Sequence, residues 1–428
     1  MEAQWLLLGL ALTLTTMAVS AYVSPNGLVR GNLAWFACAW LATEFAPWLV
    51  AAAGVLLVVL VEFSREFSDG PGRLAALLLA ASGGGLLAVA ARSRRAPTLL
   101  EDALRTALGR HYLEEVPTAR LLACTDEVPI HEYLKVLPRR TRAVELIADI
   151  PYPGGDVRNV LDVYRPAGGC ERAPVLLQIH GGDWTAGHKR QQALPLMHHL
   201  ARLGWIVVAP NYRLGPEARF PAQLIDCKSA MAWIRAHIAT FGGDPGFVAV
   251  TGGGAGAHLA SLLALTHGDV DLQPGFEHVD TRPSACVPLH GVYDLADRRQ
   301  RHPGRRARLA WLAHHLMPAT LEGDAAAWNR ASPLMRLRDD APPFFVLHGT
   351  HDSLVHVDEA REFARSLQRV SNQPVVYAEL AGAQHGWDTL RSPRSLHTVR
   401  AVTRFLEWCA AHHRARGWRR DNADRARS

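Results

Sequence analysis

Lysine is scarce in this chain, and its cysteines form no recognisable pairs. Only Lys135, Lys189 and Lys228 stand among the 46 basic residues, so arginine carries almost all the positive charge. The six cysteines include no C-x-x-C pair and no Cys/His cluster at zinc spacing, which argues against a disulfide framework and a structural metal site. The 428 residues are 49% hydrophobic and 20% charged. This composition excludes a disordered or fibrous chain, and the length allows two or three structural units.

Three long apolar runs occupy the first 91 residues. They extend over Trp5–Val23, Phe45–Phe63 and Leu74–Ala91, and Glu62 is the single charged residue among them. Each run is long enough to cross about 30 Å of hydrocarbon as a helix. A cleaved signal peptide is the alternative for the first run, but no basic stretch precedes it and two further runs follow it. We therefore predict that residues 1–91 form a transmembrane region that anchors the chain in the lipid bilayer.

The charges around these runs predict an orientation. The first loop and the segment after the third run lie on one side and hold four arginines, whereas Arg65 and Arg73 lie on the other side. The positive-inside rule then places the C-terminal part of the chain in the cytoplasm. Unpaired cysteines agree with such a reducing compartment. The chain is predicted to be a multi-pass cell-membrane protein with a cytoplasmic globular domain.

Two charged segments flank that globular domain. Residues 92–145 are predicted to form linker or cap helices, and the helical apolar spacing in Leu99–Tyr112 suits either a headgroup-bound helix or one packed on the domain. Residues 411–428 form an arginine-rich tail, which we expect to be solvated or in contact with lipid headgroups. Nucleic acid is not an expected partner, because no nucleic-acid motif or aromatic platform accompanies the tail.

Residues 146–410 alternate short apolar runs with amphipathic stretches. This alternation predicts an α/β domain with a mostly parallel sheet covered by helices on both faces. The predicted strands are Val175–Ile179, Trp205–Ala209, Phe247–Thr251, Ala285–Leu289, Phe344–Leu347 and Val375–Leu380. The predicted helices are Gln191–Leu203, Gln223–Thr240 and Val357–Arg369.

Glycine-rich turns follow two of these strands. Gly181 and Gly182 come after a buried strand and leave backbone N–H groups free to face a pocket, as an oxyanion hole requires, although a tight turn is the simpler alternative. The second turn, Gly252–Gly256, has the frame of the nucleophile elbow G-x-S-x-G. Its central residue is Gly254, which carries no hydroxyl. A phosphate-binding loop is an alternative, but the run lacks the Gly-Lys-Ser/Thr ending.

An acid and a base follow the last two predicted strands. Asp352 comes after Phe344–Leu347, and His385 comes after Val375–Leu380. A carboxylate and an imidazole at neighbouring strand ends can meet, and the carboxylate then fixes the tautomer of the histidine for general-base catalysis. With 21 histidines in the chain, any one of them has a structural alternative. The order glycine turn, Asp, His is nevertheless that of the α/β-hydrolases.

Taken together, these motifs resemble the α/β-hydrolases of the hormone-sensitive-lipase-like carboxylesterase type. The long, membrane-anchored form is similar to the mycobacterial Lip esterases. The matching stretches, besides the glycine turn at Gly254, are Leu161–Tyr164, His180–Gly182, Asn211–Leu214, Phe220–Pro221, Gly242–Pro245, Gly349–Asp352 and Gln384–Gly386.

The resemblance implies a role for each motif. Asp352 is the implied acid of a catalytic triad and His385 is the implied base. Gly254 stands where the family has its nucleophilic serine, and this departure implies that turnover is impaired. The implied donors of the oxyanion hole are the N–H groups of Gly181, Gly182 and Ala255.

Two functions from different classes follow from this pattern. The first is a membrane-anchored carboxylic-ester hydrolase with impaired turnover, acting on a small acyl ester or lipid-like substrate. The second is a pseudo-hydrolase that kept the pocket and became a ligand-binding or scaffold protein. No cofactor and no metal are expected in either case.

Overall fold

A helical N-terminal region precedes an eight-stranded sheet in the computed structural model of the chain. The residues that the structure describes are 2–23, 33–62, 70–125, 127–133, 141–302 and 304–425, with side chains up to residue 415 apart from those of residues 2, 3, 33 and 130.

The N-terminal helices pack through small residues. Ala11, Ala53 and Ala75 are buried between them, and such residues let helix backbones approach closely. Most large hydrophobic side chains that are exposed in the described chain lie on the outer surface of this region, among them Val61 and Leu77. The helices are α1 Glu2–Ser20, α2 Leu33–Glu44, α3 Ala46–Glu62 and α4 Gly70–Ser93.

By length and composition, one helical stretch among the described residues is able to cross a membrane. This stretch covers Gly70–Leu108. A second candidate span exists if the helices Ala34–Glu44 and Ala46–Glu62, which meet at an angle of 89°, form one broken span. The apolar helix Gln4–Ser20 is shorter. Three spans therefore remain a prediction, and Phe63, at the end of the second run, lies outside the described residues. Arg30 and Arg65, on which the predicted orientation partly depends, also lie outside them.

The segment between the two regions packs on the sheet domain. Helix α5, Ala96–Leu108, buries Leu100 and Leu104 completely against that domain, and its Glu101 lies 3.2 Å from Arg404. Of the two alternatives for this helix, the structure therefore has the one packed on the domain. The short helices α6 and α7 cover Thr118–Leu121 and Ile130–Tyr133.

The sheet is mixed at one edge and parallel elsewhere. Its order is β1-β2-β4-β3-β5-β6-β7-β8, with β1 antiparallel to β2 and β2 antiparallel to β4. The six predicted strands are confirmed as β3 to β8, whereas β1 and β2 were not predicted as strands. The strands are β1 Val144–Pro151, β2 Val160–Pro166, β3 Ala173–Ile179, β4 Ile206–Pro210, β5 Gly243–Gly253, β6 Ala285–Leu289, β7 Phe344–Gly349 and β8 Val375–Leu380.

Helices cover both faces of this sheet, because alternate strand residues point to opposite faces. In β5, Val248 and Val250 join the cluster packed by α9, α10 and α13, while Ala249 joins the cluster packed by α5, α8 and α14. The last helix continues through most of the predicted tail. The helices are α8 Leu194–Arg202, α9 Ala222–His237, α10 Ala255–Leu265, α11 Arg305–His315, α12 Ala325–Arg330, α13 Val357–Val370 and α14 Pro393–Arg425.

Helix α2 docks onto the sheet domain beside the start of α14. The carboxylate of Glu44 pairs with the guanidinium of Arg394, and both side chains are 1% exposed. The Ser392 hydroxyl donates to the second oxygen of Glu44 at 2.6 Å. Nearby, the indole N–H of Trp40 donates to the carbonyl of Gly386 at 3.1 Å. The N-terminal helices therefore contact the loop that follows β8.

Candidate active site

The turn between β5 and α10 has room for a side chain at one of its three frame glycines. A Cβ on Gly252 would lie 2.4 Å from the backbone of Gly256, and a Cβ on Gly256 would lie 2.1 Å from the carbonyl oxygen of Ile179. At Gly254 the nearest atom to a Cβ is Nε2 of His385, at 3.0 Å, and a side chain is able to shift. Gly254 adopts φ +56° and ψ −116°, a strained conformation for other residues.

His385 and Asp352 meet beside this turn. Nδ1 of His385 lies 2.7 Å from Oδ2 of Asp352. The other carboxylate oxygen accepts hydrogen bonds from the N–H groups of Leu354 and Val355 at 2.9 and 2.8 Å. The carboxylate is thus fixed on the loop after β7, and the imidazole presents Nε2 towards Gly254.

The two groups shift each other's pKa. Burial raises the pKa of Asp352, but the facing imidazoles of His385 and His348 lower it by more, so it stays well below its usual range. Burial lowers the pKa of His385, and the negative charges of Asp352, Asp183 and Asp388 raise it by more, so it lies above its ordinary value. A neutral His385 with a proton on Nδ1 is therefore a base at Nε2.

The turn after β3 is less open than the sequence indicates. The N–H of Gly181 donates to Oε1 of Gln192 at 2.6 Å, so the prediction that this group serves an oxyanion hole is not met in this arrangement. Gly182 is exposed on the same turn, and Ala255 is the first residue of α10, where helix geometry leaves the N–H without an internal acceptor. His180 is structural, because it stacks on Tyr212 at 4.3 Å and burial lowers its pKa to about 4.

A second histidine–aspartate pair lies beside the first and was missed by the sequence analysis. Nε2 of His290 lies 2.8 Å from Oδ1 of Asp388, and both residues are buried. The rings of His290 and His385 are 4.2 Å apart. Nδ1 of His290 would lie 3.8 Å from a Cβ on Gly254. The sequence feature that could have indicated His290 is its position, because it directly follows β6 at the same sheet edge as the other candidate residues.

Other candidate nucleophiles near the turn are engaged or enclosed. The hydroxyl of Thr251 donates to the carbonyl of Val287 at 2.7 Å. His258 accepts from the indole of Trp184 at 3.1 Å, and burial lowers its pKa to about 4. Ser261 is buried inside α10. The described residues contain no grouping of three or more His, Cys, Asp or Glu side chains able to hold a metal ion.

The fold and the arrangement of these residues define an α/β-hydrolase. The family model described as BD-FAE matches residues 161–367. The chain is 42% identical over 406 residues to the probable carboxylic ester hydrolase LipM of Mycobacterium tuberculosis, and the match covers 92% of each of the two chains. It is 39% identical to the esterase LipQ of the same organism over 73% of this chain and 75% of the relative. The chain therefore belongs to this carboxylic ester hydrolase family.

Solved structures share the fold. A truncated carbohydrate esterase from gut microbiota superposes with a TM-score of 0.55 at 20% identity, over 63% of this chain and 99% of that one. A bifunctional GH43-CE protein of Bacteroides eggerthii superposes with a TM-score of 0.54 at 25% identity, over 63% of this chain and 38% of that one.

Proposed function

We propose that this protein is a membrane-anchored carboxylic-ester hydrolase that works slowly because residue 254 is glycine. The observation that carries the proposal is the pair His385–Asp352, held at 2.7 Å with Nε2 next to the turn at Gly254. In such a site Asp352 fixes the imidazole, His385 removes a proton from the nucleophile, and the N–H groups of Gly182 and Ala255 stabilise the oxyanion. The base, the orienting acid and the oxyanion donors still lower the activation barrier of ester hydrolysis without a serine, although by much less than they do with one.

The bilayer is the proposed partner of the N-terminal helices. The exposed valines and leucines of this region, with only Glu44 and Glu62 as acids inside α2 and α3, suit contact with lipid tails.

We place the hydrolase domain in the cytoplasm, on the arginine bias and on the six free cysteines. A small acyl ester or a lipid-derived ester then reaches the site from the membrane surface. Protease protection in sealed inverted vesicles tests this placement, and a domain that resists protease in them contradicts it.

The substitution Gly254→Ser tests the hydrolase assignment. A serine hydroxyl there lies next to Nε2 of His385, which must move by a few tenths of an ångström. We expect kcat for a short-chain p-nitrophenyl ester to rise by about 100-fold or more. The matched control is Gly254→Ala, which adds the same Cβ at the same φ without a hydroxyl. The full chain in detergent is the sample, and equal rates for the serine and alanine variants would contradict the assignment.

The pH dependence of hydrolysis follows from His385. The imidazole acts as a base only when it is neutral, and its pKa is raised above the ordinary value of 6.5. Activity should therefore be lost as the pH falls through a value above 6.5. Replacing Asp183 by asparagine removes one of the charges that raise this pKa, so the acid limb of kcat/KM should move to lower pH. A profile that is flat from pH 6 to pH 8 would show that another group is the base.

A pseudo-hydrolase is the second candidate function, and the absence of a hydroxyl at Gly254 favours it. Such a protein would hold an ester in the pocket without cleaving it. Isothermal titration with a non-hydrolysable ether analogue of a short-chain ester distinguishes the two functions when it is combined with the rate of the unmodified chain. Binding of the analogue without hydrolysis of the ester above the rate of His385→Ala identifies the pseudo-hydrolase.

A further inference from the structure

Two imidazole nitrogens face the space beside Cα of Gly254. Nε2 of His385 and Nδ1 of His290 are 3.0 and 3.8 Å from the point where a Cβ would stand. Nδ1 of His290 is buried and has no hydrogen-bond partner among the described residues. A buried polar atom of this kind costs free energy unless a ligand or a water satisfies it.

The proton positions of both rings follow from their carboxylates. Asp388 has a lowered pKa, because the attraction of His290 and Gln192 exceeds the effect of burial, so it is ionised and only accepts hydrogen bonds. Its partner Nε2 of His290 must then carry the proton, and Nδ1 carries a lone pair. Burial and the neighbouring His385 lower the pKa of His290, so the ring is neutral. In the neutral form of His385, which prevails above its raised pKa, the proton lies on Nδ1 against Asp352 and the lone pair lies on Nε2.

Two lone pairs that face one small space call for a ligand with two donors. A serine hydroxyl has one donor and would satisfy only His385. A water has two, and its volume of about 30 Å³ is close to that of the side chain that glycine lacks. With both O–H groups engaged, the oxygen lone pairs of the water point away from the imidazoles and are free to attack.

We propose that His290 and His385 together hold the hydrolytic water beside Gly254, so that this site hydrolyses esters directly, without an acyl-enzyme intermediate. This inference rests on the proposed function and specifies its nucleophile. His290 is a catalytic residue in this scheme, because it contacts the reacting water. Asp388 is a positioning residue that fixes the tautomer of His290. Gln192 ties this pair to the turn after β3, since it accepts from Gly181 and lies 3.4 Å from Asp388.

The reaction balances without any further reactant. The water gives one proton to Nε2 of His385 as its oxygen forms a bond to the ester carbonyl carbon, and the carbonyl oxygen takes the negative charge. When the tetrahedral intermediate collapses, the bond from carbon to the alcohol oxygen breaks. The protonated His385 then gives its proton to the leaving alkoxide. The second proton of the water stays on the carboxylic acid and dissociates to solvent, and His290 returns to its starting state.

The test compares two variants of His290 in two backgrounds. The side chain of asparagine places its carbonyl oxygen near the position of Nδ1, whereas that of glutamine reaches the position of Nε2 and leaves no acceptor towards Gly254. Each is introduced into the full chain and into the Gly254→Ser chain, and kcat for p-nitrophenyl acetate is measured with the rate of His385→Ala as background. We expect His290→Gln to lower kcat at least about tenfold more in the glycine chain than in the serine chain, and His290→Asn to retain more activity than His290→Gln.

Each other outcome overturns the inference, and the pattern shows whether the proposed function fails with it. An unmodified chain no faster than His385→Ala beside an active Gly254→Ser chain overturns the proposed hydrolytic water and favours the pseudo-hydrolase, while the roles of His385 as base and Asp352 as orienting acid stand. Equal losses from His290→Gln in both backgrounds make His290 a purely structural residue. A rate that disappears with a chelator means that a cation lies between the imidazoles. If the serine chain is also inactive although its melting temperature is unchanged, the proposed function fails as well.

Discussion

Changing Asp352 to asparagine in the Gly254→Ser chain is expected to lower kcat for ester hydrolysis by about 10⁴-fold. When the amide oxygen faces the backbone N–H groups, the amide NH₂ faces Nδ1 of His385 and is unable to accept the hydrogen bond that the carboxylate accepts. The imidazole is then no longer held with its proton on Nδ1 and its lone pair on Nε2. The two N–H groups of Leu354 and Val355 that bond Oδ1 keep an acceptor if the amide oxygen faces them. The loss should therefore appear in kcat, with a small change in stability.

The matched control for this experiment is Asp358→Asn. Asp358 lies six residues further along the same segment, is 40% exposed and pairs with Arg361 at the start of α13. It has no contact with His385, so its substitution should leave kcat within about twofold, as expected for a surface position. Comparable losses from the two substitutions would show that the segment as a whole, and not the pairing with His385, determines the rate.

Changing Glu44 to glutamine is expected to lower the free energy of unfolding by about 3–5 kcal/mol. The substitution leaves the guanidinium of Arg394, which is 1% exposed, inside the protein without its counter-charge. Arg394 also donates to the carbonyl oxygens of Thr43 and Ala381, both at 3.1 Å, so it is unable to turn towards solvent without breaking further contacts. Denaturation of the full chain in detergent micelles, followed by tryptophan fluorescence, measures the loss.

Glu62→Gln is the control for this second prediction. Glu62 is exposed at the end of α3, and its substitution should change stability by less than about 0.5 kcal/mol. The double variant Glu44→Leu with Arg394→Met removes both charges and should recover most of the loss. If Glu44→Gln behaves like Glu62→Gln, the docking of α2 onto the hydrolase domain is wrong.

The sheet was predictable from the sequence because its strands are buried on both faces. Such strands are continuous apolar runs, and β3 to β8 begin and end within a few residues of the predicted positions, apart from the earlier start of β5 at Gly243. The two strands at the antiparallel end of the sheet, β1 and β2, escaped this reasoning. In β1 the residues are half-buried or exposed, so its apolar signal is weak. The break between α2 and α3 was indicated by Glu44 and Pro47, which mark an interface or a kink in the sequence, but the angle of 89° between the two helices was not.

The site was predictable only in part, for a different reason. Asp352 and His385 stand in motifs whose order along the chain is informative, and they lie together in the fold. The pairing of His290 with Asp388 joins residues that are 98 positions apart, and no local pattern marks such a contact. Gly181 is a second case, because its N–H is engaged by Gln192, which lies further along the same loop between β3 and α8. Side-chain contacts between strand ends are set by the tertiary fold, and sequence spacing does not encode them.

Glycine at position 254 has a consequence for how this protein is detected and inhibited. Covalent reagents directed at serine hydrolases, such as phosphonates and carbamates, work by transferring a group to the serine hydroxyl. Residue 254 has no side-chain hydroxyl to receive that group, and the side chains of Thr251 and Ser261 are fully buried. Activity-based labelling of a proteome should therefore not detect this chain. Its activity should appear in the fraction of ester hydrolysis that persists after treatment with such reagents.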